Sequence, residues 1–431
     1  MRKTFLPFSP PLIGEEEIAE VADTLRSDWI TTGPKVKRFE QEFATAVNAP
    51  AALAVNSCTA ALHVALATLG VGPGDAVITT PMTFCSTVHV IEHVGARPIL
   101  VDVEPGTLNL DPNRVRETLA LLKNQGGGNV PRVKAIIPVH LYGHPCDMDA
   151  LLEIASEYEC AIIEDAAHAL PAEYKRKKIG SLGGSASVPG LSCFSFYATK
   201  NMTTAEGGML TGSAELLEEA RIWSLHGMSH DAWQRYGREG TWHYDVTRPG
   251  FKYNMTDIQA ALGLHQLRKL NAFHRRRREI AARYNQAFRA FGELETPTEH
   301  DWAGHAWHLY VLRLNSDRLA ISRNQFISEL QARNIGTSVH FIPIHLHSYY
   351  REKYGYSAED FPLAYSHYQR IISLPCYPRM GDEDVEDVIS AVTQIVGAHT
   401  RLREQKARSS QPVRDLSFSV PIVRQNDEPQ L

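Results

Sequence analysis

Hydrophobic and polar positions follow two alternating periods over residues 50–215. Short apolar runs with many β-branched residues predict strands at 51–55, 76–80, 97–103, 133–141, 161–165, 193–197 and 208–212. Between the first five runs, helical periodicity predicts helices near 59–69, 85–94, 112–123 and 147–158. Strands that alternate with helices indicate an α/β fold with a mostly parallel sheet, covered by helices on both faces.

The chain after residue 255 follows a different pattern. Residues 256–292 carry helical periodicity over much of their length and predict a long helix that leads to a second domain. A smaller α+β domain follows, with predicted elements near 306–314 (strand), 322–333 (helix), 337–341 (strand) and 382–398 (helix). We therefore divide the chain into a large domain with an N-terminal arm, a connecting helix with a small domain, and a polar tail, at 1–255, 256–400 and 401–431.

Two segments lack any periodicity. Residues 123–132 contain three consecutive glycines and are interpreted as a flexible loop. Residues 402–431 are polar and contain prolines, so we expect a tail that is loose or draped over the body.

Composition excludes several classes of protein. A net charge of −5 provides no basic face for nucleic acid. No apolar run approaches the roughly 20 residues of a membrane helix, and the N-terminus lacks the apolar region of a signal peptide. The six cysteines show no CxxC spacing, which is typical of a reducing compartment, so we expect a cytoplasmic protein.

Polar residues follow the predicted strand ends, where open parallel sheets bind ligands. The first run continues into Asn56-Ser57-Cys58-Thr59 and then a helical pattern, which places Ser57 or Cys58 at a helix N-cap. A helix start offers unpaired N–H groups to an anion, although a plain cap has the same sequence. Neither a GxxxxGK[ST] nor a GxGxxG motif is present.

An acid and an amine end two further runs. Asp165 closes the run 161–165, and Lys200 follows the run 193–197. A lysine in isolation is most often a surface residue, but a desolvated lysine suits Schiff-base chemistry, and a carboxylate in the same pocket matches the requirements of pyridoxal phosphate (PLP). Glu164 points to the opposite side of the strand, and we interpret it as structural.

Several histidines are close in sequence and invite a metal interpretation. They are His226 and His230, His305 and His308, and the group His340, His345 and His347. No HExxH motif or Cys/His quartet accompanies them, so we predict no metal.

Eight stretches, in order, resemble the DegT/StrS-type sugar aminotransferases of the fold-type-I PLP superfamily. The resemblance covers roughly residues 5–398. The stretches are WITTGPKVKRFE (29–40), NSCTAALHVAL (56–66), TPMTFCST (80–87), IIPVHLYGHPCDMD (136–149), IIEDAAHA (162–169), FSFYATKNMTTAEGGML (194–210), PGFKYNMTDIQAALG (249–263) and VHFIPIH (339–345).

The resemblance implies roles for individual residues. Lys200 forms the Schiff base and moves the proton, Asp165 pairs with the pyridine nitrogen, and His168 lies beside the cofactor. The residues implied at the cofactor ring and phosphate are Phe84, which stacks on the ring, and Ser57, Cys58, Thr59 and Ser195, which hold the phosphate. The residues implied to border the sugar are Trp29, Thr31, Thr32, Gly33 and His340.

The segment GFKYNM is implied to reach the phosphate from a second subunit, so the resemblance predicts a homodimer. The family pattern there is G-x-N-x-R-M, whereas this chain has Lys252 in place of the Asn and Asn254 in place of the Arg. Asn254 is the stronger candidate for the phosphate and Lys252 the weaker one.

The implied reaction transfers the amino group of L-glutamate to a nucleotide-linked keto sugar. Several stretches are most similar to the branch that aminates UDP-4-keto-pentose to UDP-4-amino-4-deoxy-L-arabinose for lipid A modification, but HFIPIH departs from that branch. Amination of a 4-keto-6-deoxyhexose, 3-amination and sugar dehydration remain alternatives, although Lys200 favours transamination. A cofactor-binding protein without turnover is a further alternative, against which the presence of both Lys200 and Asp165 argues.

Overall fold

All seven strands predicted over residues 50–215 form one sheet. The computed structural model describes residues 2–124, 131–182, 188–228 and 244–401. Their bounds are β1 Ala51–Val55, β2 Asp75–Thr79, β3 Arg97–Leu100, β4 Arg132–Ile136, β5 Ala161–Asp165, β8 Gly190–Ser195 and β9 Gly208–Gly212. The strands lie in the order β1-β9-β8-β5-β4-β2-β3. Only β9 runs antiparallel to its neighbours, so the predicted fold class is confirmed.

Helices cover both faces of this sheet. The four predicted ones are α3 Cys58–Thr68, α4 Ser86–His93, α5 Pro112–Asn124 and α6 Met148–Glu157. Three others were not predicted, namely α1 Glu15–Arg26, α2 Pro34–Val47 and α7 Ala214–Ser224. The N-cap residue of α2 is Gly33, which has no side chain to cap the helix. The carboxylate of the distant Asp257 instead accepts the N–H groups of Lys35 (3.1 Å) and Val36 (2.9 Å).

The predicted long helix is α8, Asp257–Phe288, which has 32 residues. A reciprocal capping box between Thr256 and Gln259 starts it. Its first turns bury Ala260 and Leu264 in the core of the large sheet, whereas its last turns bury Tyr284 and Phe288 in a second core. The helix therefore joins two hydrophobic cores.

The second core surrounds a three-stranded antiparallel sheet in the order β10-β12-β13. Its elements are β10 Leu294–Glu295, β12 Tyr310–Leu314, β13 Ile371–Leu374, α9 Arg323–Ala332 and α12 Asp382–His399. Helices α10 Ser348–Tyr354 and α11 Pro362–Tyr368 instead bury Tyr350 and Ala364 in a further cluster with Met82 and Leu141. A further small sheet consists of β6 Glu173–Tyr174, β7 Lys177–Lys178 and β11 Ala303–Gly304. None of the described helices is long and apolar enough to cross a membrane.

The strand predicted at 337–341 is wrong. Only Ser338 pairs with the sheet, through two backbone hydrogen bonds to Ser373 (3.2 and 2.8 Å). The next residues turn away from the sheet edge, and His340 bonds the Ser373 hydroxyl through Nδ1 (2.8 Å). This turn brings His340 to the cavity described below.

The predicted loop at 123–132 is shorter at both ends, because Asn124 ends α5 and Arg132 begins β4. Its central residues 125–130 and the predicted tail from residue 402 lie outside the described residues. The predicted strands at 97–103 and 133–141 end early, at Leu100 and Ile136, although Val101 and Ile137 still donate backbone hydrogen bonds to Thr79 and Ile78 (2.8 Å each).

Candidate active site

A cavity of about 480 Å³ opens at the carboxyl ends of the parallel strands. Strand ends and helix starts of the large sheet form its floor, and the small α+β region supplies one wall. Nine of the predicted residues line it, namely Ser57, Cys58, Thr59, Phe84, Asp165, His168, Ser195, Lys200 and His340. The topology thus brings together residues that are up to 283 positions apart, from Ser57 to His340.

The start of α3 forms one end of the cavity. Ser57 is the N-cap, since its hydroxyl accepts the Ala60 N–H (3.1 Å). The backbone N–H groups of Cys58 and Thr59 have no partner among the described residues. Burial raises the pKa of the Cys58 thiol well above its usual value, so this side chain is neutral. The arrangement provides donors for an anion.

A glycine lets β9 lie close to this helix start. A Cβ at Gly208 would lie 2.4 Å from the Ser57 carbonyl oxygen and 2.7 Å from the Cys58 nitrogen. Such distances are far inside van der Waals contact, so any larger residue displaces the backbone of the cradle.

Asp165 ends β5 at the bottom of the cavity and is buried. Burial raises the pKa of its carboxyl, while hydrogen bonds from Thr87 Oγ1 (2.7 Å) and the Ala167 N–H (3.1 Å) and the charge of Lys200 act in the opposite direction. Thr87 in turn bonds Thr83 (2.7 Å). The sequence prediction missed Thr87, although the spacing of the two threonines by one helical turn after a strand end was visible.

Lys200 lies in the turn after β8, where its N–H bonds the Tyr197 carbonyl (2.9 Å). Burial lowers the pKa of its ammonium group from 10.5 to about 8, although the charge of Asp165 raises it. A substantial fraction of the amine is therefore neutral near pH 8, which is the nucleophilic form.

Three histidines form the upper wall of the cavity. His168 accepts the Tyr142 N–H at Nδ1 (3.2 Å), so its neutral ring carries the hydrogen on Nε2. His308 packs 4.4 Å from His168, between ring centroids, and the sequence prediction had considered it only as a metal ligand. Burial, with the nearby Lys200 charge, lowers the pKa of His168 well below its usual value and that of His340 to about 4, so both rings are neutral at pH 7.

Phe84 lines the cavity and stays 57% exposed. Its ring lies 5.9 Å from that of Phe341. An exposed aromatic face at a cavity mouth suits stacking on a flat ligand.

The other predicted residues do not line this cavity but form a separate cluster. Asn254 donates to the Thr32 hydroxyl (2.6 Å), and Lys252 bonds the Asn254 side chain. Trp29 donates to the Thr32 carbonyl (2.7 Å), and Thr31 accepts from the Asp257 N–H (2.9 Å). A Cβ at Gly33 would lie 1.8 Å from Trp29 Nε1. Residues predicted for the sugar and for the second subunit therefore share one surface.

The remaining polar candidates have structural partners. Glu164 is buried and bonds His140 (3.2 Å) and the Ser192 hydroxyl, away from the cavity. No group of three or more His, Cys, Asp or Glu residues suited to a metal ion occurs in the described part of the chain. His230 lies outside it.

The residues present fit PLP. A buried carboxylate, a partly neutral lysine and an N-terminal helix end with free N–H groups line one cavity. Asp165 would hold the pyridine nitrogen, Lys200 the carbonyl carbon, and the residues at the start of α3 the phosphate.

Comparisons with known proteins agree with the fit to PLP. The sequence profile of the DegT/DnrJ/EryC1/StrS aminotransferase family matches residues 11–393. The spore coat polysaccharide biosynthesis protein SpsC of Bacillus subtilis (strain 168) is 51% identical over 397 residues, which is 92% of this chain and 98% of SpsC.

Two solved structures show the same fold. Spr1654 of Streptococcus pneumoniae, described as a sugar aminotransferase, superposes in its PLP form with a TM-score of 0.80 and 35% identity, covering 91% of this chain and 99% of that one. PseC of Helicobacter pylori, an aminotransferase involved in the biosynthesis of pseudoaminic acid, superposes with a TM-score of 0.79 and 26% identity, covering 92% and 100%.

Proposed function

Because the chain belongs to the DegT/DnrJ/EryC1/StrS aminotransferase family, we propose that it transfers the amino group of L-glutamate to the 4-keto carbon of a nucleotide-linked sugar. It is a PLP-dependent sugar aminotransferase. The observation that carries the proposal is the presence of Asp165 and Lys200 on one cavity, with the free N–H groups of α3 at its end.

The roles of the residues follow from their surroundings. Bound PLP would supply electron withdrawal at the donor's Cα and a carrier for the amino group. Lys200 Nζ would hold the cofactor and move the proton at the donor's Cα, and burial lowers the pKa of this amine to about 8, so that part of it is neutral near neutral pH. Asp165 provides the negative charge opposite the ring nitrogen. His168 offers its Nε2–H as a donor to a neighbouring oxygen.

The phosphate would be held by Ser57, Cys58 and Thr59 at the start of α3 and by Ser195. Phe84 would stack on the ring. All five line the cavity, with Ser195 at the end of β8, beside Lys200. None of them carries a charge, so the backbone N–H groups and the dipole of α3 balance the phosphate within the chain.

We include a homodimer in the proposal. Lys252 and Asn254 do not line the cavity of their own chain, and Lys252 is exposed. If they complete the partner's site, then Trp29, Thr31, Thr32 and Gly33 reach the same site, because Thr32 is bonded to Asn254. His340 would meet the sugar from its own chain.

Hybrid dimers test this arrangement. One chain carries Lys200→Ala and the other Asn254→Asp, each inactive or impaired as a homodimer. If Lys200 of one chain and Asn254 of its partner form one site, the hybrid has one site in which both residues are intact, so mixing restores activity. Residues that act within one chain leave no intact site, and an unrestored mixture contradicts the shared-site proposal. A catalytically competent monomer in sedimentation contradicts it as well.

UDP-4-keto-pentose is the first sugar candidate, because several segments resemble the enzymes that aminate it, which would place the chain in lipid A modification. A 4-keto-6-deoxyhexose is the second. Phe341 and Leu309 line the cavity near His340 and offer an apolar surface to a sugar methyl group. The similarity to SpsC, a polysaccharide biosynthesis protein, supports a sugar substrate without distinguishing the two.

A panel of keto-sugar nucleotides with L-glutamate tests the reaction through formation of 2-oxoglutarate. The visible band of the purified holoenzyme is expected to disappear in Lys200→Ala and to be bleached by L-glutamate in the wild type. A wild-type band that L-glutamate leaves unchanged refutes the aminotransferase proposal. A dehydrated sugar without 2-oxoglutarate supports the dehydratase alternative instead.

A further inference from the structure

A buried hydrogen-bond network lies behind Lys200 and has no role in the function proposed above. Asn201 follows Lys200 in the chain and is 6% exposed. Its amide nitrogen donates to the carbonyls of Leu170 (2.6 Å) and Ala306 (3.0 Å). Both amide hydrogens are thus used, and the two carbonyls fix which end of the amide is the oxygen.

This amide oxygen determines which ring nitrogen of His308 carries the hydrogen. Asn201 Oδ1 lies 3.1 Å from His308 Nδ1, and an amide oxygen can only accept. His308 therefore carries its hydrogen on Nδ1. Burial and the charges of Lys200 and Arg277 lower the pKa of His308 well below its usual value, so the ring is neutral and Nε2 has a free lone pair.

His308 and His168 have opposite tautomers. His168 carries its hydrogen on Nε2, because Nδ1 accepts from Tyr142, while His308 carries it on Nδ1. The rings pack at 4.4 Å with an angle of 39° between their planes. Neither Nε2 has a hydrogen-bond partner within the described residues, and both histidines line the cavity with Lys200.

We propose that Asn201 and His308 are positioning residues for the reaction: Asn201 selects the Nδ1–H tautomer of His308, and His308 holds the His168 ring beside Lys200 without adding a charge. This proposal rests on the proposed roles of Lys200 and His168. The charged and titratable groups around His308 are His168, Lys200, Arg277 and His340. Arg277 donates to the His308 carbonyl (3.0 Å), so its charge lies on the backbone side. A second cation at the His308 ring would repel the proton of Lys200 directly.

Two variants separate positioning from packing. Asn201→Asp places a carboxylate beside Nδ1, and its negative charge favours protonation of both His308 and the Lys200 nitrogen. We expect the pH midpoint of the holoenzyme's visible band to rise by up to about one unit. His308→Phe keeps a ring against His168 but removes both nitrogens. We expect the single-turnover rate with L-glutamate to fall about tenfold, with the KM for L-glutamate changed less than about twofold.

Asn109 provides a matched control. It is buried, donates to the carbonyls of His144 (3.1 Å) and Pro145 (3.1 Å), and accepts from the Leu141 N–H (2.9 Å), but it does not line the cavity. Asn109→Asp therefore damages a buried hydrogen-bond network of similar make-up that contains neither Asn201 nor His308. We expect its band midpoint and its rate with L-glutamate to match those of the wild type.

The tautomer itself is measurable in the holoenzyme. Nitrogen-15 NMR of protein labelled at histidine, assigned by difference from His308→Phe, is expected to show Nδ1–H at residue 308. If Asn201→Asp does not fold, this spectrum and His308→Phe decide. An Nε2–H tautomer at His308, or a His308→Phe variant with wild-type band midpoint and rate, overturns the proposal. Loss of the band in Lys200→Ala tests the role of Lys200 separately.

Discussion

Replacing Lys200 by Met is expected to stabilise the apoenzyme at pH 7. The lysine is half-buried, and its loss of contact with water lowers its pKa from 10.5 to about 8, which favours the neutral form. The charged amine therefore destabilises the folded protein at neutral pH. Methionine has a similar length and no charge, so it removes this cost while filling the same space.

The size of the effect follows from the pKa difference. At about 1.4 kcal/mol per pKa unit, the shift from 10.5 to about 8 corresponds to at most roughly 3.5 kcal/mol. The Lys200 side chain is only partly buried from solvent, and screening reduces the expected gain to about 1–2 kcal/mol. Below pH 8 the amine is protonated in both states and the full cost is present. Between pH 8 and 10.5 the unfolded state binds more protons than the folded one, so wild-type stability rises and the advantage of Met disappears.

Urea unfolding of both apoproteins at one protein concentration, repeated at several values from pH 7 to 10, measures this difference. Lys37→Met changes an exposed lysine on α2 and serves as the control, with no expected gain. A Lys200→Met variant no more stable than wild type at pH 7 refutes the argument. A gain that does not shrink as the pH rises also refutes it, because the effect would then come from packing.

Three further changes test the rest of the site. Asp165→Ala is expected to leave the fold intact and remove most transferase activity, and near-normal turnover would refute the role of this carboxylate. Thr87→Val removes a hydrogen bond that lowers the Asp165 pKa. The acidic limb of the pH–rate profile is therefore expected to move up by about 0.5–1 pH unit. The control Thr79→Val loses a hydrogen bond to a backbone carbonyl and is expected to leave the acidic limb unchanged. Gly208→Ala is expected to destabilise the protein by about 2–4 kcal/mol and to weaken PLP binding in a cofactor titration, because the new Cβ meets Ser57. Gly397→Ala has open space in α12 and is expected to be neutral or stabilising by up to about 1 kcal/mol; equal losses in both glycine variants contradict the steric argument.

Much of the large domain could be predicted from the sequence. Most strands of the seven-stranded sheet are short apolar runs, because a strand buried on both faces needs apolar side chains at successive positions. The helix start at Ser57 was also visible, since capping depends on neighbouring residues. Asp165 and Lys200 could be selected because the ends of such strands meet at one edge of a sheet.

Other features depend on residues that are distant in the chain. The side-chain donor to Asp165 is Thr87, 78 positions away, and the start of α2 is capped by Asp257, more than 220 positions away. The pattern at 337–341 has strand periodicity, yet the chain turns there because His340 bonds Ser373. No local pattern contains these partners.

The sequence by itself thus determined the strands of the large sheet, most of the helices between them and the residue types that can bind PLP, because periodicity, capping and the chemistry of single side chains are local properties. Only the tertiary structure decided that Asn201 bonds His308 on the wall of the Lys200 cavity and that Thr32 and Asn254 bond each other outside its lining. Hydrogen bonds, burial and the resulting pKa of Lys200 arise between segments that meet only when the two cores pack together along α8.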